Sequence, residues 1–273
     1  MQIEQLSPHI GATITGVALS SAMSDDLVAD IRGALLEHMV VIFRQQALSP
    51  AELVGIAERF GSLSIYPFVR GMDDHPEIVE VVKHAHETVN FGGLWHSDTT
   101  YLEEPPLGSL LYAKEIPPVG GDTLFANVAA AYDSLSEGLK ATLANLRAIN
   151  SAENPDAAKT RVPRIESRGQ TSNISTTAVH PVVRTHPETG RKALYVNGGH
   201  TVCFEGMTPE ESAPLLNYIY TVQQRPEFSC RHRWQTGDLA FWDNRAAQHN
   251  ALNDYHGHRR VMWRVTLAGD SPK

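Results

Sequence analysis

Arg259-Arg260-Val261-Met262-Trp263-Arg264-Val265-Thr266-Leu267 is the stretch whose reading sets the fold class. Successive side chains of a strand point to opposite faces, so Val261, Trp263, Val265 and Leu267 share one side of it. Arg260, Met262, Arg264 and Thr266 share the other. β-Branched and aromatic residues suit a pleated, half-buried surface. Two arginines on one face leave two readings. Either that face is solvated, or it looks inward and an anion meets it, because a buried unpaired cation is costly.

The segments before it carry the same signal. Phe228-Ser229-Cys230-Arg231-His232-Arg233-Trp234 alternates, Thr236-Gly237-Asp238 reads as a turn, and Leu239-Ala240-Phe241-Trp242 as the next strand. Helices are predicted where caps stand. Ser49-Pro50-Ala51-Glu52 and Thr208-Pro209-Glu210-Glu211 each join a capping box to a proline at the first helical position. The first helix should stop at Gly61 and the second near Gln223. A further helix is expected over residues 25–37, ahead of the apolar run Val40-Val41-Ile42-Phe43. Residues 127–150 read as two short helices, with Ser136 capping the second. Residues 153–177, rich in Ser, Thr, Asn and Arg, read as a long loop able to serve as a lid. No linker or repeat interrupts the chain, so one domain over residues 1–273 is expected. Short strands with long insertions predict a mainly β fold with helices (α+β), an antiparallel barrel or jelly roll flanked by helices. Gly120-Gly121-Asp122-Thr123 is too short for a phosphate loop.

A net charge of −8 with no basic stripe argues against nucleic acid or an anionic membrane as partner. The start lacks the features of a signal peptide, no apolar run approaches a membrane span, and two cysteines make no disulfide framework. The expectation is a cytoplasmic protein.

Trp95-His96-Ser97-Asp98 and the distant Trp242-Asp243-Asn244-Arg245-Ala246-Ala247-Gln248-His249 supply the candidate chemistry. Two histidines and one aspartate can hold three positions on one face of an octahedral metal and leave the other face open. The tripeptide alone is weak in a chain of 13 histidines. A hydrogen-bonded His–Asp pair is the plain alternative. His75-Pro76-Glu77 and His186-Pro187-Glu188 have the same spacing but sit among turn formers and read as solvated loops. His96 and Asp98 stand instead in strand-favouring sequence through Thr99, Thr100, Tyr101 and Leu102. In an extended chain they would point to one side.

Five ordered segments together make the pattern specific: Leu94-Trp95-His96-Ser97-Asp98, Gly120-Gly121-Asp122-Thr123, His180-Pro181-Val182-Val183-Arg184-Thr185-His186-Pro187, Trp242-Asp243-Asn244-Arg245 and Arg259-Arg260-Val261-Met262-Trp263-Arg264. Over nearly its whole length the chain resembles the taurine/2,4-dichlorophenoxyacetate dioxygenase family of Fe(II)- and 2-oxoglutarate-dependent enzymes. The resemblance implies a double-stranded β-helix. It implies iron ligands His96, Asp98 and His249, and a 2-oxoglutarate site at Arg260 and Thr123. Arg264 matches the position that faces the substrate's anionic group and could also approach 2-oxoglutarate. Tyr66, Asn90, Phe91 and Thr99 are further substrate candidates, and His200 is an outside one.

The implied reaction consumes O2 and 2-oxoglutarate, releases succinate and CO2, and hydroxylates a small anionic substrate: a sulfonate, a sulfate ester, or an aryloxyalkanoate or other carboxylate. C–S or C–O cleavage could follow. Ile65-Tyr66-Pro67 and Gly92-Gly93 depart from the taurine-cleaving pattern, which has a histidine before that proline and an asparagine before the Trp-His pair. The resemblance therefore implies an anion without making it taurine. It also implies a homo-oligomer, dimer or tetramer. A zinc-dependent hydrolase and a non-catalytic small-anion-binding barrel are the competing readings. The first lacks a His-Glu-x-x-His helix and would not explain Arg260 with Thr123; the second lacks its usual mark, a missing ligand.

Overall fold

The computed structural model describes residues 1–154, 158–159 and 175–273. Most of the chain's order lies in sheets. The largest holds β1 (Gln2–Gln5), β2 (Ala12–Thr15), β3 (Val40–Phe43), β4 (Leu63–Ser64), β5 (Val79–Lys83), β6 (Gly108–Glu115), β14 (Leu239–Asp243) and β16 (Arg260–Leu267). Its order is β1-β2-β3-β14-β6-β16-β4, with β5 also on β16. All its pairs are antiparallel except β2 with β3. A second sheet orders β13 (Ser229–His232), β7 (Thr123–Asn127) and β15 (Ala247–Ala251). A third orders β12 (Thr201–Phe204), β8 (Arg147–Ser151) and β9 (Thr177–Pro181), and β10 (Val183–Thr185) pairs with β11 (Lys192–Leu194).

Period-2 alternation explains how the large sheet is covered on both sides. Val40, Ile42, Ala240, Trp242 and Met262 form one apolar cluster with Phe125, Cys230 and Ala247 of the second sheet. Their neighbours Val41, Phe43, Leu239, Phe241, Val265 and Leu267 join another cluster with the helices Asp25–His38 and Pro50–Glu58. The two sheets thus share an inner layer, and the helices seal the outer face. Both capping boxes form as read: Ser49 with Glu52, and Thr208 with Glu211 at the head of helix Pro209–Gln223. The reading of 25–37 agrees with Asp25–His38, capped by Ser24.

Three expectations need correction. Residues 127–150 do hold helices Val128–Asp133 and Glu137–Leu143, with Ser136 as cap, but the end of that range is β8. Pairing with β9 and β12 buries Ala148 and Asn150, and tertiary pairing overrides the local helical pattern. The stretch after His96 is not a strand. Asp98 opens a turn in which Thr99 takes φ +44° and Leu102 N donates to Thr99 O. His186 is buried rather than solvated: its Nε2 donates to Asp243 Oδ2 at 3.0 Å, while its Nδ1 accepts from the amides of Glu188 and Thr189. The expected lid, residues 153–177, falls mostly outside the described residues.

Candidate metal centre and its two cavities

His96 and His249 lie far apart in sequence and directly opposite in space. Each backbone N–H donates to the other's carbonyl, at 3.0 and 2.8 Å. Their ring centroids are 4.2 Å apart. β15 carries His249, and this short bridge docks the His96 segment beside it. Asp98 follows at the start of the turn, so its carboxylate swings back over both rings. Oδ1 lies 3.7 Å from His96 Nε2 and 3.9 Å from His249 Nε2. Among the described residues His96, Asp98 and His249 are the one group whose ligand atoms converge, all within 4.8 Å of one another.

The donor set fits a divalent ion. His96 Nδ1 sits 2.7 Å from Leu94 O, so it carries the proton and leaves the Nε2 lone pair toward the centre. Asp98 Oδ2 accepts from Ser109 Oγ at 2.8 Å and from Asn244 Nδ2 at 3.3 Å, which leaves Oδ1 facing the two Nε2 atoms. His249 is 8% exposed, and its Nδ1 has no hydrogen-bond partner among the described residues. Protonation states follow from burial and charge. Burial, then the facing His96 ring, pushes His249 down to about 3. Burial likewise lowers His96, against the pull of Asp98. Burial opposes ionisation of Asp98, but Arg264, the two histidines and Ser109 outweigh it and hold the carboxyl well below the usual range. Neutral imidazoles beside an ionised carboxylate are the states a metal needs.

Two cavities meet at this centre. One, of about 480 Å³, is walled by Tyr66, Phe91, Thr99, Tyr101, His200 and Arg264 along with Gly92 and Gly93. The other, of about 460 Å³, reaches past Val81, Leu111 and Trp242 to Thr123 and Arg260. Phe91, Gly92, His96 and Arg264 border both. The inward alternative for the arginine face of β16 is therefore the observed one.

Arg264 is 6% exposed. Its guanidinium stands 4.7 Å over the Tyr66 ring and 3.4 Å from Asp98 Oδ1. Arg260 is 5% exposed, and its Nε and one terminal nitrogen lack hydrogen-bond partners among the described residues. Burial pulls Arg260 below its usual value, only partly offset by Tyr255 and Asp122. Trp234 Nε1 donates to Thr123 Oγ1 at 3.0 Å, so that hydroxyl keeps its own proton to donate.

Most of the sequence-predicted residues come together here: His96, Asp98 and His249 as the donor set, Thr123 and Arg260 in one cavity, Tyr66 and Thr99 in the other, and Phe91 and Arg264 bordering both. His200 joins them through Nδ1, 3.1 Å from Thr100 Oγ1. Asn90 does not. It is buried and outside both linings, and its amide donates to Ala251 O at 2.7 Å. Its side chain is committed to holding the loop. Sequence reasoning missed Ser109, Asn244, Trp234 and Lys83. Asn244 and Trp234 stand just beyond the strands Leu239–Asp243 and Ser229–His232, where strand parity no longer says which way a side chain points. Ser109 carries no local signal.

A family model for the taurine catabolism dioxygenase TauD, TfdA family matches residues 2–266. The chain is 37% identical over 277 residues to an alkylsulfatase of Acinetobacter baylyi, covering 99% of this chain and 86% of that protein. It is 35% identical over 280 residues to an alpha-ketoglutarate-dependent sulfate ester dioxygenase of Pseudomonas putida, covering 100% and 91%. The structure of a taurine dioxygenase from Burkholderia xenovorans superposes with TM-score 0.84 at 36% identity, over 99% of this chain and 92% of that one. AAD-2, solved with Mn(II) and N-oxalylglycine, gives TM-score 0.80 at 26% identity over 99% and 98%. With its donor set and its two arginines in place, the chain belongs to the TauD/TfdA family of 2-oxoglutarate-dependent non-haem iron dioxygenases.

Proposed function

We propose that this protein, as one domain built on a double-stranded β-helix, hydroxylates a small anionic substrate at the carbon bearing a sulfate ester, sulfonate or aryl ether oxygen. The hydroxylated carbon then collapses to release the heteroatom group. The observation that carries this reading is the pair of buried arginines, Arg260 and Arg264, lining the cavities that meet at one His–Asp–His set. Bound iron(II) supplies activation of O2, coupled to oxidative decarboxylation of 2-oxoglutarate to succinate and CO2.

The chain's own residues do the rest. His96, Asp98 and His249 would hold the ion through three positions. Arg260 offers a planar fork to the distal carboxylate of 2-oxoglutarate, and Thr123 donates its hydroxyl proton there. Arg264 faces the other cavity and takes the substrate's anionic end. Tyr66, Phe91 and Tyr101 give that cavity an apolar, aromatic wall, which suits a hydrocarbon body and excludes water from the reacting carbon. Sulfate esters lead the candidates, because two of the relatives named above carry that chemistry in their names. The competing hydrolase and non-catalytic readings find no support in the family.

Assembly as a dimer or tetramer belongs to the same proposal. So does a cytoplasmic setting, which suits two cysteines that are both free and buried. No helix among the described residues is long and apolar enough to cross a membrane.

The test is succinate release by purified protein with Fe(II), ascorbate and 2-oxoglutarate across alkyl sulfates, sulfonates and aryloxyacids. Substrate-dependent succinate is expected, with none from His96→Ala. No succinate with any of these classes, or equal output from His96→Ala, removes the reading. Anaerobic addition of Fe(II) and 2-oxoglutarate should also raise a weak visible charge-transfer band.

A further inference from the structure

Lys83 is the last residue of β5 and stands directly opposite Arg260 on β16. Directly opposed residues of an antiparallel pair point to the same face, with Cβ atoms about 5 Å apart. Val81, two residues earlier and so on the same face, lines the cavity that Arg260 closes. Lys83 is 2% exposed, and its Nζ has no hydrogen-bond partner among the described residues. It rests 4.3 Å over the Tyr255 ring, and the Arg260 guanidinium lies 6.0 Å from the same ring.

Among the described residues no acid forms a salt bridge with Lys83 or Arg260, and Asp122 offsets the burial of Arg260 only in part. Asp122 pairs with Arg231 at 2.6 Å, and Asp254 accepts from Gly121 N at 2.8 Å. Two like charges directly opposed on a strand pair repel, and burying either without an anion is costly. An aromatic face offsets only a small part of that cost. One bound anion relieves both cations together. Arg264, about 13 Å further along the strand toward the metal ligands, is too far to share it.

We propose that Lys83 supplies a second positive charge for the far carboxylate of 2-oxoglutarate, so that this end of the cavity is a two-cation anion site. This rests on the assignment of Arg260 to that carboxylate. Lys83 then sets cosubstrate selectivity: it favours a dicarboxylic 2-oxo acid over one ending in a methyl group.

The test is calorimetric titration of Mn(II)-loaded protein with N-oxalylglycine and with 2-oxopentanoate, which lacks the far carboxylate. Lys83→Met should weaken N-oxalylglycine about tenfold or more and leave 2-oxopentanoate unchanged. Lys83→Arg, which keeps the charge, should recover part of the loss. Lys83→Met should also raise the melting temperature of the ligand-free protein, since it removes a buried unpaired charge. If Lys83→Met does not fold, Lys83→Gln takes its place. Binding of N-oxalylglycine within twofold of the parent, while Arg260→Met weakens it strongly, overturns the role of Lys83 alone. No effect of Arg260→Met overturns the underlying assignment, and the proposal with it.

Discussion

Asn244 clamps Asp98 at two points. Its Oδ1 accepts from Asp98 N at 3.2 Å, and its Nδ2 donates to Asp98 Oδ2 at 3.3 Å. The amide cannot be turned round, because Oδ1 also accepts from Trp242 Nε1 at 3.0 Å. Both atoms facing Oδ1 are donors, so Nδ2 must face the carboxylate. Together with Ser109 this decides which oxygen of Asp98 is left for the ion.

Asn244→Ala should therefore lower metal affinity about 10- to 100-fold, the usual range for losing a group that orients a ligand. A Co(II) titration measures it. Trp242→Phe removes the donor that fixes the amide and trims the ring packed on His249, but it leaves both Asn244 contacts to Asp98 possible, so its effect should be smaller. Equal affinities in Asn244→Ala and the parent would show that Ser109 alone orients the carboxylate.

Acid stability should depend on Asp243. Burial opposes its ionisation, but hydrogen bonds from Arg245 and then His186 hold it at about 2, below the ordinary 3.8. A lowered carboxyl pKa means that the unfolded chain takes the proton first. The stabilisation is full above about pH 4 and drains away as pH falls toward 2. It is worth about 2 kcal/mol. Asp243→Asn should be less stable at pH 7, and its urea midpoint should fall less steeply between pH 4 and 2. Parallel curves for the two proteins would sink this account.

Gly92 takes φ +77°, and a Cβ there would lie 3.3 Å from His96 Cε1. Gly92→Ala should cost about 1–2 kcal/mol for the left-handed backbone and also press on the ligand ring. Gly190, at φ +70° with open space around it, is the control. Both alanine variants should lose stability, but only Gly92→Ala should bind Co(II) more weakly. Similar Co(II) affinities would separate the loop from the metal centre.

Arg264→Lys should not behave as a conservative change. A lysine replaces a planar fork, stacked over Tyr66 beside Asp98, with a point charge on a flexible stem. kcat/KM for the best-turned-over anion should fall about tenfold or more, with KM for 2-oxoglutarate moving less. Steady-state succinate assays check both. The opposite pattern, a large rise in KM for 2-oxoglutarate alone, would assign Arg264 to the cosubstrate.

Much of this was legible in the chain because it is written in local rules. The capping boxes at Ser49 and Thr208 fixed two helix starts, since a cap satisfies amides within its own turn. The parity of residues 260–267 put both arginines on one face, since a strand repeats every two residues. The ordered motifs named the three residues whose donor atoms converge. The misreadings arose where a distant partner decided the outcome. Arg147–Ser151 is a strand because β9 and β12 pair with it. His186 is buried because Asp243 comes to meet it. Asn90 holds Ala251 instead of lining a cavity.

By itself the sequence determined the residue types of a metal-ligating set, the strand parity of the two arginines, and the family. It did so because motif spacing and side-chain alternation are properties of the chain. Only the tertiary structure decided that His96 and His249 pair backbone to backbone, that Asn244 and Ser109 hold one oxygen of Asp98, and that Lys83 faces Arg260 with no salt bridge to either among the described residues. Those are contacts between strands remote in sequence. Register and burial set them, and both depend on the whole sheet closing at once.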